Sequence, residues 1–109
     1  MNSFKLSLCA ITMLSGLTAH ANEVKIVDAT AKKNGNAWAV AVTLNHADVD
    51  MKHYADSWQI VSEEGEILGV RELGHPHKDQ PFTRDLKGVE IPANLSVVYI
   101  EAHDKVHGW

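Results

Sequence analysis

Six histidines are spread over the last two thirds of a 109-residue chain: His46, His53, His75, His77, His103 and His107. A seventh, His20, lies near the N-terminus. Asp48, Asp50, Met51, Asp56, Asp79 and Asp104 fall among them. Imidazole combined with carboxylate suits Zn²⁺, Cu²⁺ or Ni²⁺. His75-Pro76-His77 is the sharpest local pair. In an extended backbone, residues i and i+2 share a face, and proline holds its own φ near about −65°. Two imidazoles placed in this way would meet one ion. A third would come from His46, His53, His103 or His107, supported by the carboxylates of Asp48, Asp56 and Asp104. Trp109, Tyr54 and Phe82 would form an apolar collar. A single loop histidine is more commonly a solvated group or a local hydrogen-bond partner. On that reading His53 pairs with Asp56, while His46 and His103 cap sheet edges.

Other chemistries find less support. The single cysteine, Cys9, lies in the N-terminal apolar stretch, so the remainder has no disulfide and no thiolate ligand. A nucleophilic triad needs an activated Ser, Thr or Cys beside a base. Ser57, Ser62, Ser96 and Thr83 stand in no such motif. A glycosidase-type carboxylate pair needs a groove that a chain this short can hardly wall. The expectation is a binding protein and not an enzyme. The formal net charge is −4, and there is no basic stripe, which argues against nucleic acid and anionic membranes as partners.

The first 21 residues read as a secretory signal peptide. Lys5 and the free amine make a short positive region, Leu6 to Leu17 is apolar, and Thr18-Ala19-His20-Ala21 offers small residues before a cleavage site. The apolar run is too short to span a bilayer as a helix. Cleavage after Ala21 would leave residues 22–109 as one small domain, periplasmic or secreted, with no membrane insertion afterwards. Cys9 does not look like a lipoprotein acceptor, because it comes early and follows a leucine.

The elements that must position the histidines read as strands. Val24, Ile26 and Ala29 open the first, which ends at Lys33. Asn34-Gly35 is suited to a two-residue hairpin turn. Trp38, Val40, Val42 and Leu44 then alternate with Ala37, Ala39, Ala41 and Thr43, a period-two signal with an apolar core face. Further strands are expected over 57–62, 67–73, 84–91 (broken near Gly88) and 95–102, the last with Val98, Ile100 and Ala102 inward. Asp50 to Trp58 has room for one helical turn and no sustained helical period. Trp38 and Trp58 read as core residues, and Arg84 as a surface partner of Asp85 or Asp104. Short strands at regular spacing predict an all-β antiparallel sandwich of about six strands. Because consecutive antiparallel strands reverse, the second, fourth and sixth connections share one end. Those connections carry all six histidines.

The order and lengths resemble immunoglobulin-like and fibronectin type III-like sandwiches, with strands A, B, C, C′, E and F and with Trp58 on strand C. The resemblance implies that these connections are the loops where binding sites gather. There is no cysteine pair between B and F, and no residue is left for strand G. Either the chain is shorter than such domains or another chain or segment covers the F edge. His53-Tyr54-Ala55-Asp56-Ser57-Trp58, His75-Pro76-His77 and Gln80-Pro81-Phe82-Thr83-Arg84 are also similar to a family of small exported bacterial proteins. That resemblance implies export and the fold and supplies no activity. Three functions are therefore expected to compete. The first is binding of a divalent transition metal, copper or zinc, through the loop histidines. The second is a protein–protein interaction module of the cell envelope without metal, using the open F edge or the same loops. The third is a pH-responsive form of either.

Overall fold

Period-two alternation is clearest in two strands. In β3 (Ala37–Asn45) Val40, Val42 and Leu44 are buried, and in β7 (Val97–Asp104) Val98, Ile100, Ala102 and Asp104 are buried. Such strands have one face that must leave water, and two sheets packed face to face satisfy that requirement. The computed structural model describes residues 3–8 and 23–109. Cys9, most of the apolar N-terminal stretch and the expected cleavage site after Ala21 lie outside the described residues. Five further strands complete the fold: β1 (Ser3–Ser7), β2 (Lys25–Asn34), β4 (Ala55–Val61), β5 (Ile67–Glu72) and β6 (Phe82–Val89). One sheet has the order β1-β7-β4-β5 and the other β2-β3-β6, and every pairing is antiparallel. Among the described residues no helix is long and apolar enough to cross a membrane.

In the strand letters expected from sequence, A, B and E form one sheet and C′, C and F the other. The F edge is not open in this chain. Residues Ser3 to Ser7 pair with Val97 to Glu101 of β7 and occupy the position expected of strand G. Phe4 and Leu6 are almost fully buried. Their burial explains why a segment read as leader makes a strand: inward Phe4 and Leu6 alternate with outward Ser3, Lys5 and Ser7. Among the described residues the strands therefore number seven.

Between the sheets lie Trp58, Ile60, Val98 and Ile100 from one side and Ile26, Val40, Val42 and Leu44 from the other. Trp38 packs against this core from its margin. The sheets also approach at Gly69, where a Cβ would stand 2.9 Å from Leu86 Cδ2.

Three local expectations shift. The β2–β3 turn is Gly35-Asn36 and not Asn34-Gly35, because Asn34 still pairs with Ala37; Gly35 takes φ 66°. The expected break near Gly88 is a bulge. Val89 pairs with Trp38 and Leu86 with Val40, so β6 carries one extra residue there, and Gly88 sits at φ 72°. No helical turn forms after Asp50. An isolated bridge joins Asp50 to His53, and β4 starts at Ala55. His103, expected in a loop, belongs to β7.

Candidate metal centre

The inward face of β7 runs Val98, Ile100, Ala102, Asp104, and that of β3 runs Val40, Val42, Leu44 and then His46. Both alternations carry one step beyond the apolar core into polar residues. The two strands lie in opposite sheets, so His46 and Asp104 meet across the end of the sandwich. His46 is 2% exposed and Asp104 1%. His53 enters from the loop before β4. Among the described residues, His46, His53 and Asp104 each offer one ligand atom, and these atoms all lie within 4.8 Å of one another.

The separations are informative. His46 Nε2 stands 3.8 Å from Asp104 Oδ2, and His53 Nε2 3.6 Å from Asp104 Oδ1. Both are too long for hydrogen bonds. They come close to the ligand–ligand edge of a tetrahedral zinc site, about 3.3 Å for bonds of about 2.0 Å. His53 Nε2 is buried and has no hydrogen-bond partner in the structure. A buried polar nitrogen of this kind calls for a partner, and a cation between the three groups would supply one.

Asp48 fixes the site from behind. Its Oδ1 lies 2.6 Å from His46 Nδ1 and accepts the Ala55 amide at 3.0 Å, while its Oδ2 accepts the His77 amide at 2.7 Å. A carboxylate can only accept, so Nδ1 of His46 carries a proton, and Nε2 is the ring nitrogen turned towards Asp104. Metal-binding histidines are commonly held in this way by an outer carboxylate. Gln80 braces the same corner. Its Oε1 accepts the His46 amide at 3.0 Å, and its Nε2 donates to the His77 carbonyl at 2.9 Å.

Asp104 is held from its own loop. The amides of Val106 and His107 donate to Oδ1 at 2.8 and 2.6 Å, and His107 Nδ1 lies 3.0 Å from Oδ2. Burial works to raise the Asp104 pKa, but the His107 amide and side chain and the Val106 amide outweigh it and hold the carboxyl below its ordinary value. The group therefore stays anionic. The His107 ring is 5.4 Å from that of His53, which puts a third imidazole at the margin of the cluster.

The remaining candidates are placed elsewhere. His75 and His77 have ring centroids 4.6 Å apart, but neither joins the triad. His77 is buried and stacked on Phe82 at 3.9 Å, and its Nδ1 lies 3.8 Å from Asp48 Oδ2. His75 is exposed, with Nδ1 at 2.9 Å from the Pro76 carbonyl. His103 points to the outer face of its sheet, because it neighbours an inward residue. There its Nδ1 meets Asp56 at 2.5 Å and its ring meets Trp109 at 4.8 Å. Asp56 thus pairs with His103 and not with His53. Trp109 lies beside His103, Phe82 beside His77, and Tyr54 is buried, so the three aromatics form no common collar. Arg84 donates to the Thr83 carbonyl and lies over the Phe82 ring. Sequence reasoning named Asp104 only in support, although extending the β7 alternation by one residue would have shown it facing inward opposite His46.

Fold and site together define a small all-β protein with a buried histidine–aspartate cluster at one end. The chain is 40% identical over 88 residues to a protein of Halomicrobium mukohataei named "Putative lipoprotein". The match covers 80% of this chain and 43% of that protein, so the chain spans less than half of its relative's length. No family model matches, and no solved structure matches.

Proposed function

We propose that this is an exported, non-enzymatic protein that binds one divalent transition metal, copper or zinc, through His46, His53 and Asp104. His107 or a water would be the fourth ligand. The observation that carries this reading is the convergence of two buried imidazole nitrogens and a carboxylate at distances too long for hydrogen bonds, with His53 Nε2 lacking a partner. Imidazole and carboxylate together suit Zn²⁺ and Cu²⁺ and disfavour the hard cations Mg²⁺ and Ca²⁺. Export is supported by the leader-like N-terminus and by the name of the relative. With three protein ligands and one open position, the site suits buffering, delivery or sensing of metal outside the cytoplasm.

The test is a titration of the full chain with Zn²⁺ and Cu²⁺ by calorimetry, with elemental analysis after dialysis. One equivalent is expected, and the His46→Ala/His53→Ala variant should lose it while its circular dichroism stays that of the folded chain. A metal-to-protein ratio near zero at micromolar metal, or undiminished binding in that variant, would sink the proposal.

A further inference from the structure

β1 is joined to the rest of the fold through side chains and not only through its ladder. Phe4 is 0% exposed and Leu6 1%, and Leu8 packs against the same core. The ladder pairs Ser3 with Glu101 through Ser7 with Val97, and the Leu8 amide extends it by donating to the Ser96 carbonyl at 2.9 Å. Beside Leu6 and Phe4 in the same sheet stand Val98 and Ile100 of β7, both at 0% exposure, and β2 packs against β1 from the other sheet. Yet the residues that form β1 belong to the segment whose composition reads as a removable leader. Removing it would free the backbone groups on the outer side of β7 and expose the apolar slot that Phe4 and Leu6 fill. A long unpaired edge above an open core is a template for strand addition.

We propose that the seat of β1 is a strand-acceptor site. Once the leader is cleaved after Ala21, the slot takes an extended segment of a partner protein. That segment runs antiparallel to β7 and carries large apolar residues at alternating positions, in the manner of Phe4, Leu6 and Leu8. A second copy of this chain is a poor occupant. Pairing β7 with β7 would extend the sheet, but the inward Val98 and Ile100 of each copy already point into their own core and cannot fill the other's slot. The edge strands β2 and β6 have the same defect, since their large apolar residues are likewise committed inward, and β5 exposes Ile67 and Val70, which stand three residues apart and not at alternating positions. The leader thus acts as a placeholder that lets the precursor close its core before the partner arrives.

The experiment uses the full chain with a site-specific protease sequence placed between Ala21 and Asn22. The cut chain keeps every residue but can exchange its first strand. Two fluorescent peptides are offered, one with the sequence of residues 2–8 and one with Phe4→Asp and Leu6→Asp. Binding is read by anisotropy, oligomeric state by light scattering, and the β7 amides by hydrogen exchange. The cut chain is expected to stay monomeric and bind the first peptide. The second should bind weaker by about 100-fold or more, since the loss of two buried apolar side chains sets the lower bound. The β7 amides should regain protection only with the first peptide. Equal binding of both peptides, binding of neither, a dimer that excludes the peptide, or loss of the folded circular dichroism on exchange of the leader would each overturn the proposal. Metal titration of the uncut chain is independent of these outcomes.

Discussion

His46 Nδ1 lies 2.6 Å from Asp48 Oδ1, and neither side chain touches solvent. The same carboxylate accepts the amides of Ala55 and His77, so one buried anion ties the start of one loop to the first residue of β4 and to the middle of another loop. The ring it orients is also the ring aimed at Asp104.

Asp48→Ala should therefore act on both stability and metal. Three buried donors lose their acceptor, at a cost of about 3 kcal/mol or more. Metal affinity should fall by about 10- to 100-fold, as for other groups that orient a ligand from outside the coordination sphere. Urea unfolding with chelator present, followed by metal titration of the folded protein, reads the two effects separately. An unchanged urea midpoint would contradict the role assigned to Asp48.

Four of the histidines should divide into two classes. His46→Gln and His53→Gln should each abolish tight metal binding. His75→Gln and His103→Gln should leave stoichiometry and affinity unchanged, because those rings engage the Pro76 carbonyl and Asp56 away from the triad. Elemental analysis of the four single variants tests this division. Loss of metal in His75→Gln would restore the His75-Pro76-His77 pair as the centre.

The metal-free protein should lose stability as the pH falls below 6.5, with His77 contributing. Burial, followed by the charges of Arg84 and His75, lowers the His77 pKa from 6.5 and outweighs the opposing pull of Asp48. Below 6.5 the unfolded chain takes up the proton first, so the stabilisation present above that pH is lost as the pH falls towards the folded value. Asp104 adds the same sign lower down, since its carboxyl is held below 3.8 in the fold. Thermal midpoints measured in chelator between pH 7.5 and pH 5 should fall less steeply in His77→Gln than in the parent chain. Parallel curves would remove His77 from the account.

Gly88→Ala should destabilise the fold by about 1–2 kcal/mol, the cost of placing a Cβ in the left-handed region. Gly88 lies at the end of β6 remote from the cluster, at φ 72° beside the bulge opposite Trp38 and Val40. Metal stoichiometry should be unchanged. A lower urea midpoint with full metal content is the expected pair of results.

The chain's alternation by itself determined that this protein is all-β. Val40, Val42 and Leu44, and again Val98, Ile100 and Ala102, allow one apolar face each, and that requirement is local and readable. Strand parity also placed the histidine-bearing connections together, and the amides and side chains of His46, His77, Gln80 and Asp48 do meet there. The sequence could not say which imidazoles face one another. His75 and His77 are neighbours in the chain, but one ring is drawn down onto Phe82 and the other remains in water. His46 and Asp104 are 58 positions apart and meet only because two strands from opposite sheets run out of core at the same end. The fate of residues 3–8 was equally hidden, since Phe4 and Leu6 suit a leader and a strand alike. Only the unfilled edge of β7 selects the strand, because burial is a property of the assembled sheets and not of any one segment.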